Sequence, residues 1–300
     1  TVKDKVKLPS LWLKKAKAPW KEEVSDEYLQ KKLEEGGIPF VFINYAADLG
    51  HLPVLPRYLD LHSIEGIRDG IAFPANWWDF AGETLEQFFI PRDRGGIFPS
   101  GEILLSSAGL GVATEAKGYL PRKVYIDSLL KARQIISKHC GEANVPVGHY
   151  SFQDACPEYR HRSAEPDFTV LKEAGFEYAV SYREEGEWPR VLYDDGDFLV
   201  LNQQTVHWSF EPMSDVKKWE RSFDNVPSGV WAIIGLDSPF WGMTPCYFGE
   251  ASKGLDLTKL VRAMKYVLSG GESGRLFILK PHELVRFVRL LKRSGDIRRE

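Results

Sequence analysis

The chain has 300 residues and a mass of 34.1 kDa, with 43% hydrophobic and 27% charged side chains, a balance that excludes intrinsic disorder and allows one large core. Its 39 basic and 42 acidic side chains nearly cancel, so no global field argues for nucleic acid or a membrane surface, and a neutral partner such as a sugar fits more easily. No apolar run approaches the roughly 18 residues of a bilayer span, so no membrane span is expected.

Residues 1–38 read as a basic arm and a leading helix packed on the body. Lys3, Lys5, Lys7, Lys14, Lys15, Lys17 and Lys21 are interrupted by Trp12 and Trp20. Contact with an anionic partner is one reading of this arm, and a solvated terminus with two packed tryptophans is the favoured one. The polar stretch after Thr1, together with three scattered cysteines that form no CxxC pair (Cys140, Cys156 and Cys246), leads to the expectation of a cytoplasmic protein.

From residue 39 onward, apolar runs rich in β-branched and aromatic residues predict strands at Phe40 to Tyr45, Gly70 to Phe73, Glu102 to Ser106, Val145 to Tyr150, Tyr178 to Tyr182, Val230 to Leu236 and Leu276 to Leu279. Helical period appears at Val124 to Cys140, Pro166 to Ala174, Leu257 to Leu268 and Pro281 to Lys292. In the last helix Leu284, Phe287, Val288 and Leu291 share one face. Alternation of this kind along residues 39–300 implies an α/β fold with a parallel sheet and outer helices, either doubly wound or closed into a barrel, and the even spread of strands favours a distorted (β/α)7-type barrel. Arg190 to Val200, with Tyr193-Asp194-Asp195-Gly196-Asp197 as the turn between its two short strands, predicts a small antiparallel hairpin inserted on the rim. Reacting groups in such folds gather at the carboxyl ends of the strands.

Three segments carry a family resemblance. Phe40-Val41-Phe42-Ile43-Asn44-Tyr45-Ala46-Ala47-Asp48-Leu49-Gly50-His51 leads to Leu55-Pro56-Arg57-Tyr58-Leu59-Asp60-Leu61 and then Ile71-Ala72-Phe73-Pro74-Ala75-Asn76-Trp77. Val145-Pro146-Val147-Gly148-His149-Tyr150 is followed by Leu171-Lys172-Glu173-Ala174-Gly175-Phe176. The third is Leu276-Phe277-Ile278-Leu279-Lys280-Pro281-His282-Glu283-Leu284. Together they resemble the polysaccharide deacetylase (NodB-like) family, with its "TPRLLDLL" helix, "FFVxGNW" strand, "RxPxG" and "LxExGF" segments and closing "LHPHEL". The resemblance lies mostly in the scaffold.

It implies a barrel that acts on carbohydrate. It also implies a zinc-like ion held by one aspartate and an HxxxH pair, a second aspartate as base and a histidine of the last strand as acid. This sequence departs from that set. The aspartate pair falls on Ala46 and Ala47, with Asp48 one place beyond; the arginine position carries His149; and the acid position carries Lys280, with His282 two residues on. The chain contains no HxxxH, so the usual metal-dependent deacetylation is not the expected chemistry.

The residues themselves offer other candidates. Asp48 and His51 follow the first strand, where they suit a substrate hydroxyl; a divalent metal on the pair is admissible but not favoured, and an N-cap role for Asp48 is equally open. His149 is a candidate proton carrier, with Tyr150 and Asp154 beside it, against a purely hydrogen-bonded histidine in the barrel mouth. Lys280 at a strand end is a candidate catalytic or anion-binding lysine, against one paired to a neighbouring acid, and His282 is a candidate acid. Asp237 ends an apolar strand before Trp241, and Trp77 ends another; aromatic rings there suit the CH face of a sugar. Nine tryptophans strengthen that reading modestly. Asp48, His149, Lys280 and His282 are thus the catalytic candidates, and His51, Trp77, Tyr150, Asp154, Asp237 and Trp241 the substrate-binding ones. Two readings stand at this point: an atypical hydrolase of amide, ester or glycosidic bonds, and a non-catalytic saccharide-binding or assembly subunit, either compatible with a homo-oligomer.

Overall fold

The computed structural model describes residues 24–45, 69–73, 75, 102–106, 122–140, 147–151, 168–182, 189–203, 217, 220–221, 226–237, 262 and 265–295. Helix α1 (Asp26–Glu34) opens them, with the Ser25 Oγ accepting from the Tyr28 N–H at 3.2 Å and Asp26 and Glu27 in its first turn. Both features suit a helix amino end.

The strands are β1 (Ile38–Tyr45), β2 (Asp69–Phe73), β3 (Glu102–Ser106), β4 (Gly148–Ser151), β5 (Tyr178–Tyr182), β6 (Val191–Asp194), β7 (Leu199–Gln203), β8 (Ile233–Asp237) and β9 (Leu276–Ile278). They form one sheet in the order β6-β7-β5-β4-β3-β2-β1-β8, with β9 also paired to β1. Every pairing is parallel except β6 with β7. Residues of β7 and β8, far apart in that order, approach within 8 Å between Cα atoms, so the sheet is curled into a half-barrel. The hairpin expected at residues 190–200 is present, but only β6 is an addition: β7 runs parallel to β5 and is a member of the main sheet.

Strand alternation sorts the core into two layers. One face carries Val41, Ile43, Ala72, Leu104, Tyr150, Tyr178, Val180, Leu199, Leu201 and Ile234, which form a single buried cluster with Leu284, Phe287 and Val288 of the closing helix. A cluster fed by seven strands at once is the concave interior of the half-barrel. The other face, including Phe42, Ile71, Leu105, Ala179 and Val200, is also buried. Helices α2 (Arg122–Cys140) and α3 (Thr169–Glu173) pair through Arg122 with Thr169 and Glu173, and Phe176, which follows α3, meets His149 on this convex side. Tyr125, Leu129, Ala132 and Ile136 of α2 are buried at helical spacing, and the Arg133 guanidinium stands 5.1 Å from the Phe176 ring.

The closing helix α4 (Pro281–Ser294) crosses the amino-terminal ends of the strands. At one end Pro281 lies against Gly70 of β2, and His282 contacts Glu102, the first residue of β3. At the other, Lys292 pairs with Asp194, the last residue of β6, and Arg289 donates to the Asp197 carbonyl oxygen at 3.1 Å in the β6–β7 turn. The ten residues between these contacts span about 15 Å at ~1.5 Å per residue, enough to bridge the opening. No helix among the described residues is long and apolar enough to cross a membrane.

Candidate functional site

The parallel strands end at Tyr45, Phe73, Ser106, Ser151, Tyr182, Gln203 and Asp237. The register sets Asn44 opposite Asp237, Ser106 opposite Tyr150, Ser151 opposite Ser181, and Ser181 opposite Asn202. Polar residues thus collect in the last one or two positions of strands that are otherwise apolar. Ser181 and Asn202, two residues beyond Ala179 and Val200 and therefore on the convex face with His149, are fully buried, a costly place for polar groups unless they are hydrogen-bonded. Neither was singled out from the sequence, where the only signal is a change to polar residues in the last steps of an apolar run.

The candidates fall in different places. Tyr150 is fully buried on the concave face, one step from the end of β4. Asp237 is the last residue of β8, at the carboxyl edge. His149 is also fully buried, but its register partner is Leu105 on the convex face, and its ring meets the Phe176 ring edge-on at 5.3 Å. It therefore sits in the layer between sheet and outer helices, not in the barrel mouth. Asp48, His51, Trp77, Asp154 and Trp241 lie outside the described residues.

Lys280 and His282 stand at the amino-terminal end. Strand β9 pairs only with Ile38 to Phe40 of β1, so the chain leaves the sheet at the level of Phe40, below the first residue of β2, which pairs with Phe42. Lys280 is 9% exposed and its backbone N–H donates to Glu283 Oε2 at 2.8 Å. The His282 Nδ1 is 2.8 Å from Glu102 Oε2, which also accepts the His282 backbone N–H at 2.9 Å; Glu102 Oε1 accepts from the Tyr178 hydroxyl. Burial acts to lower the His282 pKa, but the Glu102 hydrogen bond and charge outweigh it, and the net shift is above the ordinary 6.5. Burial, and then the Glu102 charge, push the Tyr178 hydroxyl well above its ordinary 10.0.

His149 and His282 are not brought together. On β3, Glu102 and Leu105 are three residues apart, about 10 Å at ~3.3 Å per residue, and their side chains point to opposite faces. Asp237 and Tyr150 share the carboxyl end but stand on opposite faces by register, Asp237 with Asn44 two residues beyond the convex Phe42 and Tyr150 with Ser106 two beyond the concave Leu104; Lys280 and His282 share the amino end.

No protein-family model matches the chain, and no curated protein matches it in sequence. Solved structures do. A putative polysaccharide deacetylase from Mycobacterium smegmatis superposes with a TM-score of 0.55 at 12% identity, covering 85% of this chain and 92% of that one. The fold is the distorted barrel of that deacetylase. The 4-alpha-glucanotransferase from Thermococcus litoralis superposes with a TM-score of 0.53 at 15% identity over 87% of this chain, which spans about half, 47%, of that longer protein.

The HxxxH pair of the zinc-like site implied by the deacetylase resemblance is absent from the sequence. Histidines stand at 51, 62, 139, 149, 161, 207 and 282, with no two of them four apart. His149 faces the helix layer and His282 the amino-terminal opening. Among the described residues no three His, Cys, Asp or Glu side chains are grouped to hold a metal ion.

Proposed function

We propose that this chain recognises a carbohydrate polymer at the carboxyl edge of a deacetylase-type half-barrel, and that it does not carry out metal-dependent deacetylation. The observation that carries the reading is the fold. Two solved structures that share it, at 12% and 15% identity, are named as a putative polysaccharide deacetylase and a 4-alpha-glucanotransferase. Action on a sugar polymer is what those two names have in common. The near-neutral charge and the tryptophan content support the same ligand class. Asp237, Tyr150, Asp48, His51, Trp77, Asp154 and Trp241 form the proposed saccharide-contacting set.

Recognition is favoured over turnover because two of the catalytic candidates among the described residues, His149 and His282, do not converge. General acid and base must reach one substrate atom within hydrogen-bond distance, directly or through one water. His149 beneath the outer helices and His282 at the opposite opening meet no such condition.

The test is a binding and turnover screen against acetylated chitooligosaccharides and α-1,4-glucans, with metal content measured on the same sample. Saturable binding without acetate release supports the proposal. Stoichiometric zinc with acetate release would overturn the departure from metal chemistry, and absence of saturable binding to both polymer classes would overturn the recognition itself.

A further inference from the structure

One carboxylate, that of Glu102, joins three elements at the amino-terminal opening. Its side chain is 9% exposed. Oε1 takes the Tyr178 hydroxyl of β5, and Oε2 takes both the backbone N–H and Nδ1 of His282 in the first turn of α4. The other charged groups facing His282 are Lys280, just before the helix, and Glu283, the next residue. Lys280 disfavours an imidazolium, whereas Glu102 and Glu283 favour one.

We propose that the Glu102–His282 contact is a pH-dependent clasp holding α4 across the amino-terminal opening, tight when the imidazole is protonated and slacker when it is neutral. The backbone N–H of His282 does not titrate, so the clasp slackens and does not release. Tyr178 keeps its proton throughout, because its hydroxyl is pushed far above the histidine range. Since α4 supplies Leu284, Phe287 and Val288 to the interior, a slacker clasp loosens the concave cluster as well.

The sign follows from linkage. A folded-state pKa raised above 6.5 gives a stabilisation fully present below 6.5 and lost as pH rises through the raised value. This inference is independent of the saccharide reading, because it concerns how the fold is closed.

The test uses the whole chain. The His282 ring is titrated by NMR, and amide exchange along α4, corrected for its intrinsic pH dependence, is followed from about pH 5 to about pH 9, bracketing the histidine window. The ring is expected to titrate above 6.5, and Glu102→Gln to bring it to that value or below, since burial then dominates. Corrected exchange in α4 should accelerate with rising pH by about tenfold per unit of pKa shift, and His282→Gln should flatten that rise. A wild-type ring titrating at or below 6.5 overturns the proposal, as does the same exchange profile in wild type and His282→Gln. If Glu102→Gln does not fold, the wild-type titration decides alone.

Discussion

Gly148 of β4 and Tyr178 of β5 are register partners, and the tyrosine ring fills the space that a side chain at 148 would need. A Cβ built on Gly148 would stand 2.2 Å from both the Tyr178 Cζ and its hydroxyl oxygen. The glycine thus lets Tyr178 lie flat over β4 and reach Glu102 on β3. Gly148→Ala must displace a fully buried ring and its hydrogen bond. It is expected to lower stability by about 2 to 4 kcal/mol, from overpacking together with a buried acceptor losing its donor. Urea midpoints measure this, and a loss below about 0.5 kcal/mol, the level of an ordinary surface change, would show that the ring has room to move.

Glu283 fastens the same helix from its other side. Its carboxylate is fully buried, with Oε1 accepting the Val24 N–H at 3.0 Å and Oε2 the Lys280 N–H at 2.8 Å. Lysine has no acceptor, so Lys280 cannot return the bond as a serine or threonine cap would. Glu283→Ala strands two donors and is expected to cost about 3 kcal/mol or more. Glu283→Gln keeps one oxygen acceptor and should cost roughly half as much. Equal losses in the two variants would assign the effect to packing instead of hydrogen bonding.

Much of the scaffold was legible because its signals are local. Glu102–Ser106 and Tyr178–Tyr182 were read residue for residue, and the last helix starts at Pro281 as expected, since proline suits a first helical position. Of the expected run, Val147 stands outside the strand that begins at Gly148, because apolar character alone does not mark where pairing starts. The parallel pairing of β7 with β5 was not legible, being a contact between segments with no local signature. The site was less legible still. Alternation reveals that His149 and Tyr150 face opposite ways, but which of them faces the interior depends on where α4 and α2 pack, many residues away. Likewise the closing segment shows a strand followed by a helix, yet only the register of β9 on Ile38 to Phe40 reveals that Lys280 and His282 emerge at the amino-terminal opening.

His149 offers a way to separate structure from binding. It is fully buried against Phe176, beneath the layer that holds α2. His149→Ala is expected to cost about 2 to 4 kcal/mol by leaving a cavity, in the range of other large-to-small core changes. Saccharide affinity, measured by calorimetry well below the unfolding midpoint, should stay within twofold of wild type, about 0.4 kcal/mol. Lost affinity in a variant of unchanged stability would move His149 into the site.

The β6–β7 turn should govern behaviour in acid. Asp195 Oδ2 lies 2.7 Å from the Lys172 Nζ and 3.1 Å from the Tyr193 hydroxyl, while Oδ1 accepts the backbone N–H of Phe198 at 2.9 Å and of Asp197 at 3.2 Å. The Lys172 contact, followed by the Phe198 N–H, holds the Asp195 carboxyl well below its ordinary 3.8. A depressed folded-state pKa gives a stabilisation present above 3.8 and lost as pH falls through the lower folded value. Asp195→Asn should therefore be less stable than wild type at neutral pH, by a small margin because the turn faces solvent. The two should converge as the pH drops below 3.8. Denaturant midpoints of both proteins across an acid series measure the gap. A gap that stays constant with pH would mean that the turn depends on the shape of the Asp195 side chain and not on its charge.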